Sequence, residues 1–169
     1  FPAAGEPLLS GLLKDADGSV RAAAAQSCLM AEPEPVGTGP RLMAVLGDAN
    51  AEARGWAARA LGQYAALGKA PAGAVEAVAR LLADPEAAVR ENAAMALGSL
   101  RGLPEPVASA LASRVDAAGE ASRDVRAAAA AALDAATPPG PAVKAALRRG
   151  FDDPEEIVRH RCLATAGHL

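Results

Sequence analysis

The 169-residue sequence has almost no aromatic side chains: one Trp, one Tyr and two Phe, or 2% of the chain. A single globular kernel built around large rings is therefore excluded. It has two cysteines, Cys28 and Cys162, and two histidines, His160 and His168. A disulfide framework needs more of the first, and neutral-pH acid–base chemistry has little to draw on from the second. No apolar run is long enough to span a bilayer, and no secretory leader is visible. A strong excess of one charge is also missing. The formal net charge is −3 and the pI about 5.4. Residues 1–100 carry eight Lys/Arg against eleven Asp/Glu, and 101–169 carry nine of each. That balance argues against non-specific nucleic-acid binding, which needs a cationic footprint. These absences together predict a cytoplasmic protein. Phe1 is not a natural start, and the last repeat is still in register at Leu169, so a fragment of a longer chain is expected.

What is abundant is alanine, roughly a quarter of the residues and far above ordinary usage. Alanine is the best helix former, and it lets helix axes approach closely. Many thin, tightly packed helices are the expected answer.

The helices repeat. Five times an acidic residue is followed, six positions on, by arginine: Asp15…Val20-Arg21, Asp48…Ala53-Arg54, Asp84…Val89-Arg90, Glu120…Val125-Arg126 and Asp153…Val158-Arg159. The arginines recur at intervals of 33, 36, 36 and 33. Such a period marks a stacked helical solenoid, in which each unit hides its apolar side against its neighbours. Repeats are placed at 1–34, 35–70, 71–103, 104–138 and 139–169, within one domain. First helices are expected near 6–14, 40–47, 73–83, 105–115 and 141–151. Second helices are expected near 17–31, 50–66, 85–100, 121–136 and 154–168.

The third repeat is the cleanest. Val75, Val78, Leu81 and Leu82 fall at helical spacing on its first helix. Asp84-Pro85-Glu86 then reads as an N-cap, a first-turn proline and a dipole-matched acid. Gly98 permits close backbone approach in the second helix. In the fifth repeat Asp153-Pro154-Glu155-Glu156 reads as a capping box. Prolines 7, 33, 35, 40, 71, 104, 106, 138, 139 and 141 punctuate the joints, outside the predicted second helices, where each would cost about 3 kcal/mol. Gly37-Thr38-Gly39 reads as an inter-repeat linker, since it lacks the remaining glycine and the strand of a dinucleotide loop. In the fourth repeat, taking Asp116 as the equivalent of Asp84 inserts about four residues into a solvated loop. Both cysteines fall on apolar repeat positions. Four repeat steps of about 10 Å put them roughly 40 Å apart, so they read as buried thiols with no disulfide between them.

The acid-turn-Val-Arg-Ala-Ala-x-Ala-Leu phrase resembles the HEAT repeat family, and more narrowly the short HEAT-like repeats of bilin lyase subunits and many bacterial proteins. The resemblance covers essentially the whole chain. It implies an all-α, right-handed α-α superhelix of about five helix pairs, with no cofactor. It further implies that a structural ladder of Asp15, Asp48, Asp84 and Asp153 pairs with Arg21, Arg54, Arg90, Arg126 and Arg159, within or between repeats. Aspartate can accept amide hydrogen bonds at the second helix's start while arginine offers a planar fork to its carboxylate. An arginine stripe for phosphate is the competing reading; every arginine has a nearby acid to neutralise it.

When second helices are aligned on the arginine, the columns at +3, +4, +6 and +7 are small or apolar and read as core. Columns +2, +5 and +9 vary and share one face: Ala23, Gln26, Met30; Trp56, Arg59, Gln63; Asn92, Met95, Ser99; Ala128, Ala131, Ala135; Arg161, Ala164, His168. In HEAT-like stacks the second helices line the concave side. Gln26, Met30, Trp56, Arg59, Gln63, Asn92, Met95, Ser99 and Arg161 are accordingly the candidate protein-binding residues. Trp56 reads either as an exposed interface anchor beside Arg59 or as a ring folded over a small-residue groove. His160 and His168 read as surface residues: no carboxylate–histidine cluster completes a metal site, and the His-Glu pairs of the HEAT-like lysine hydroxylase are missing. HEAT-like DNA glycosylases need a cationic, aromatic face that this chain lacks. The expected function is a non-catalytic scaffold for another protein or peptide, away from membranes. A bilin lyase-like subunit and a nucleic-acid-binding HEAT-like protein are the alternatives.

Overall fold

The computed structural model describes residues 5–30, 37–100 and 102–168, and side chains from Leu8 onward. The joint prolines Pro33 and Pro35, the side chain of Pro7, and the chain-end residues Phe1 and Leu169 lie outside the described residues. Among the described residues there are ten α-helices and no strand. They are α1 (Gly5–Leu12), α2 (Gly18–Ser27), α3 (Thr38–Val45), α4 (Ala51–Ala66), α5 (Ala74–Arg80), α6 (Ala87–Gly98), α7 (Glu105–Ser113), α8 (Arg123–Ala132), α9 (Pro141–Gly150) and α10 (Glu156–His168). Single 3-10 turns, Leu81–Ala83 and Leu133–Ala135, extend α5 and α8.

These helices form five antiparallel pairs stacked in one direction, in two layers. The even-numbered helices pack face to face along the whole stack, α2 on α4, α4 on α6, α6 on α8 and α8 on α10, far more extensively than the odd-numbered ones do. Small residues make this possible. A Cβ at Gly62 would lie 2.7 Å from the Ala96 Cβ and carbonyl oxygen, and one at Gly98 would lie 3.0 Å from the Ala132 Cα. Alanine thus closes the second-helix layer, with Ala25, Ala57, Ala58, Ala93, Ala94, Ala129 and Ala130 fully buried. Leucines and valines fill the space between layers, among them Leu42, Leu61, Leu97, Leu111, Leu133, Val89, Val125 and Val158. The core is consequently a continuous ribbon along the stack and not a central kernel.

Helix starts differ from the sequence expectation for one recurring reason. Asp84 is not the N-cap of α6; the cap is Glu86, which makes no side-chain capping bond, and the helix begins at Ala87. Asp84 instead accepts the Glu86 amide at 3.0 Å, two residues before the cap. Asp15, Asp48, Glu120 and Asp153 do the same with the amides of Asp17, Asn50, Ser122 and Glu155. The repeated acid therefore shapes the turn, and the capping is left to the next polar residue. Asp17, Asn50 and Ser122 accept amides of their own first turns.

The capping box of the fifth repeat is likewise corrected. Glu156 is the first residue of α10, and the Asp153 amide donates to the Gly150 carbonyl. Gly37-Thr38-Gly39 is not a linker either: α3 starts at Thr38, which is buried, with Gly37 as its cap. The fourth repeat keeps register at Glu120, which is 2% exposed, while Asp116 pairs at the surface with Arg149 at 3.1 Å. The extra residues are Asp116–Gly119.

Candidate functional site

The first four arginines of the repeated phrase each reach forward to the acid of the following repeat. Arg21 donates through Nε and Nη2 to the Asp48 carboxylate at 2.5 and 2.7 Å. Arg54 holds Asp84 at 2.8 Å through both nitrogens, and Arg90 holds Glu120 at 2.7 and 2.8 Å. Arg126 holds Asp153 at 2.8 and 3.0 Å. The remaining Nη1 donates backward, to main-chain carbonyls of the arginine's own turn, as from Arg54 to those of Asp48 and Ala49. One guanidinium therefore ties two successive turns together, which sets how one helix pair sits on the next. At the two ends of the series, among the described residues, Arg159 donates only to the Asp153 and Pro154 carbonyls, and the Asp15 carboxylate accepts only the Asp17 amide.

The charges are consistent with this geometry. The Arg21 fork holds the Asp48 carboxyl below the usual aspartate range, against a smaller opposing push from burial. For Asp84, Glu120 and Asp153 burial is the largest influence and pushes upward. The arginine fork, the amide donor and nearby guanidinium charge together outweigh it, and all three carboxyls end below their ordinary values. The four arginines are shifted upward by the same hydrogen bonds. With four of its five N–H donors bonded within the fold and its charge paired to a carboxylate, each of these arginines is occupied by the ladder.

The +2, +5 and +9 columns lie along one side of the second-helix layer. Ala23, Gln26 and Met30 are exposed, as are Met95, Ser99, Arg161, Ala164 and His168. Trp56, Arg59, Gln63 and Asn92 are half-buried, as are Ala128, Ala131 and Ala135. Trp56 packs partly against the core, so it joins elements of both readings entertained for it. Arg59 extends along the layer and directs Nη1 to the Met95 Sδ at 3.4 Å. The face is not uniform. Between α6 and α10 the all-alanine columns of α8 form a trough of about 460 Å³, a feature that no single repeat encodes. Ile157, which forms part of its wall, stands 47% exposed in a column otherwise holding Ser19, Glu52, Ala88 and Asp124.

His160 and His168 are both exposed, and His168 Nδ1 lies 3.1 Å from Asp134. Cys28 and Cys162 are both buried and form no disulfide with each other; burial and the nearby Asp153 charge push the Cys162 thiol up to about 11. That thiol packs against the backbone of Gly150, which explains a small residue at that point of α9. No helix among the described residues is long and apolar enough to cross a membrane.

Several solved structures share this architecture. Computationally designed armadillo repeat proteins for modular peptide recognition superpose with a TM-score of 0.73 at 23% identity, covering 95% of this chain and 80% of theirs. A designed armadillo repeat protein in complex with the peptide (KR)4 gives 0.72 at 20% identity, covering 95% and 80%. The CpcE–CpcF complex of phycocyanin lyase from Nostoc sp. PCC7120 gives 0.73 at 24% identity, covering 100% of this chain and 68% of that one. At these identities the likeness is one of fold. No curated protein matches the sequence. The family model for HEAT repeats matches residues 39–133, more than half of the chain. With five stacked helix pairs bound by forward-reaching arginines, the chain belongs to the HEAT repeat family.

Proposed function

We propose that the protein is a non-catalytic interaction scaffold whose concave, second-helix surface receives another protein or a peptide. The even-numbered helices approach each other more closely than the odd-numbered ones, and in a curved two-layer stack the closer layer lies on the inside of the curve. The observation that carries the reading is the contrast within this layer. Its core columns are invariant in character and locked by the ladder, while the columns facing away from the core change chemistry at every repeat and remain accessible. A rigid frame bearing a variable row of side chains suits recognition along an extended partner. The peptide-recognising armadillo designs of the same fold support the same class of partner.

Trp56 and Arg59 sit together on this face and are the residues assigned to anchor the partner. The test is affinity capture with the wild-type chain, followed by measurement with the purified partner. Trp56→Ala/Arg59→Ala is expected to weaken binding by about 2 kcal/mol or more with the melting temperature nearly unchanged. Binding that persists in the double variant assigns the partner to another surface. A bilin-handling role is the second reading, favoured by the fold shared over the whole chain with the phycocyanin lyase complex. Visible absorbance of the chain after co-expression with a bilin source separates the two.

A further inference from the structure

The trough across the fourth repeat has a chemistry of its own. Its floor is Ala128 and Ala131, both half-buried on α8. Its walls carry two large hydrophobes that the fold leaves uncovered, Met95 from α6 at 43% exposure and Ile157 from α10 at 47%. Leu8, Met30, Leu67 and Leu163, the other exposed large hydrophobics among the described residues, lie outside this trough. Two carboxylates stand on its rim. Glu91 makes no ion pair among the described residues, and Asp124 has there only a loose 3.8 Å contact with Arg123, which leans towards Glu155 at 3.5 Å. Arg161 lines it from α10 with no ion pair among the described residues.

We propose that this trough is a docking subsite for a peptide segment that presents one bulky apolar side chain beside a lysine or arginine. The proposal rests on the concave-surface reading above and specifies where along that surface, and with what chemistry, a partner is held. The apolar side chain fills the gap between Met95 and Ile157, where α8 supplies only methyl groups. Burying it removes three apolar surfaces from water at once, its own and those of the two walls. The adjoining cation meets Glu91 and Asp124, which have no strong partner among the described residues, so the rim selects by charge complementarity. Arg161 lies opposite as a donor to main-chain carbonyls of the bound segment. An acidic segment is disfavoured by the same two carboxylates.

The test is a titration of the isotope-labelled chain, followed by NMR, with the synthetic peptide Ser-Gly-Lys-Leu-Lys-Gly-Ser up to millimolar concentration. Parallel titrations use peptides in which Leu is replaced by Ala or both Lys by Glu. The expected result is saturable shifts centred on Met95, Ala128, Ala131 and Arg161, with at least tenfold weaker binding of both altered peptides. Ala131→Leu fills the trough with a side chain like that of Met95 at the equivalent position and should abolish the shifts. Its melting temperature shows whether the fold is kept. Glu91→Lys/Asp124→Lys, which leaves the floor intact, should reverse the preference towards the Glu-flanked peptide. The proposal is overturned by shifts elsewhere, by no shifts, or by binding indifferent to all of these changes. A partner that depends on Trp56 and Arg59 would still leave the broader scaffold reading standing in each of those cases.

Discussion

Arg126 and Asp153 form the most deeply enclosed pair of the ladder, with side chains 5% and 2% exposed. A buried ion pair contributes little net stability over well-packed apolar groups, but losing one partner leaves an uncompensated charge. Arg126→Ala is therefore expected to cost about 3 kcal/mol at neutral pH, and the loss should shrink on acidification. In the wild type the Asp153 pKa is depressed, so its contribution is present above the unfolded value, about 3.9, and is lost as pH falls through the folded value. Without Arg126, burial is opposed only by the Glu155 amide and the Arg159 charge, so that carboxyl titrates higher than in the wild type and protonation relieves the variant first. Urea titrations of both proteins between pH 7 and pH 3 check this; a gap that stays constant would place the penalty in packing and not in charge. The repeated phrase made the ladder itself legible but not its full membership: Glu120, outside the expected set, holds Arg90, while Arg159 and the Asp15 carboxylate make no ion pair between repeats among the described residues. The roles of the acids were less legible. Asp84 looked like a cap because Pro85 and Glu86 follow it, yet its carboxylate is claimed by Arg54, thirty residues away. Glu120 was overshadowed by Asp116 for the same reason: only the position of Arg90 in space decides between them.

For whole helices, the approach of α4 to α6 is controlled by the absence of a side chain at Gly62. Alanine normally improves a helix interior over glycine by roughly 0.5–1 kcal/mol. At Gly62 the new methyl would meet the Ala96 carbonyl oxygen and Cβ at 2.7 Å, where backbone cannot yield cheaply. Gly62→Ala is expected to lower stability by about 1–3 kcal/mol through overpacking. Gly11→Ala in α1, with nothing within 4 Å of the added carbon, should raise it slightly. Opposite signs for one chemical change, read in thermal denaturation, are the signature; equal signs would mean that helix propensity outweighs packing. Helix pairing and the core columns could be foreseen from spacing, since a 3.6-residue period maps directly onto a face. The trough could not. It arises where three successive second helices place Met95, Ala131 and Ile157 side by side; alignment puts Met95 and Ala131 in one column but Ile157 in another.

Along the whole molecule, the same column has different surroundings according to its place in the stack. Counted from the repeated arginine, the +4 column holds Ala25, Ala58, Ala94 and Ala130, each fully buried, while the fifth member, Leu163, is 58% exposed. The difference lies in what covers it. The second helix of the following repeat closes over each alanine, and the Thr165 hydroxyl donates to the Ala130 carbonyl at 3.0 Å where α10 crosses α8. No helix among the described residues lies over Leu163. Side-chain size at this column should therefore matter only where a neighbour is stacked. Ala130→Leu, which copies the fifth repeat into the fourth, must push α8 and α10 apart and is expected to cost about 1–3 kcal/mol. Leu163→Ala, the reverse change, should alter stability by no more than about 0.5 kcal/mol. Guanidinium unfolding of the two variants separates a stack of nearest neighbours, where coupling passes only between adjacent units, from a fold with one shared kernel. In a shared kernel both substitutions at the column would be felt alike, and a large loss in Leu163→Ala would point to that.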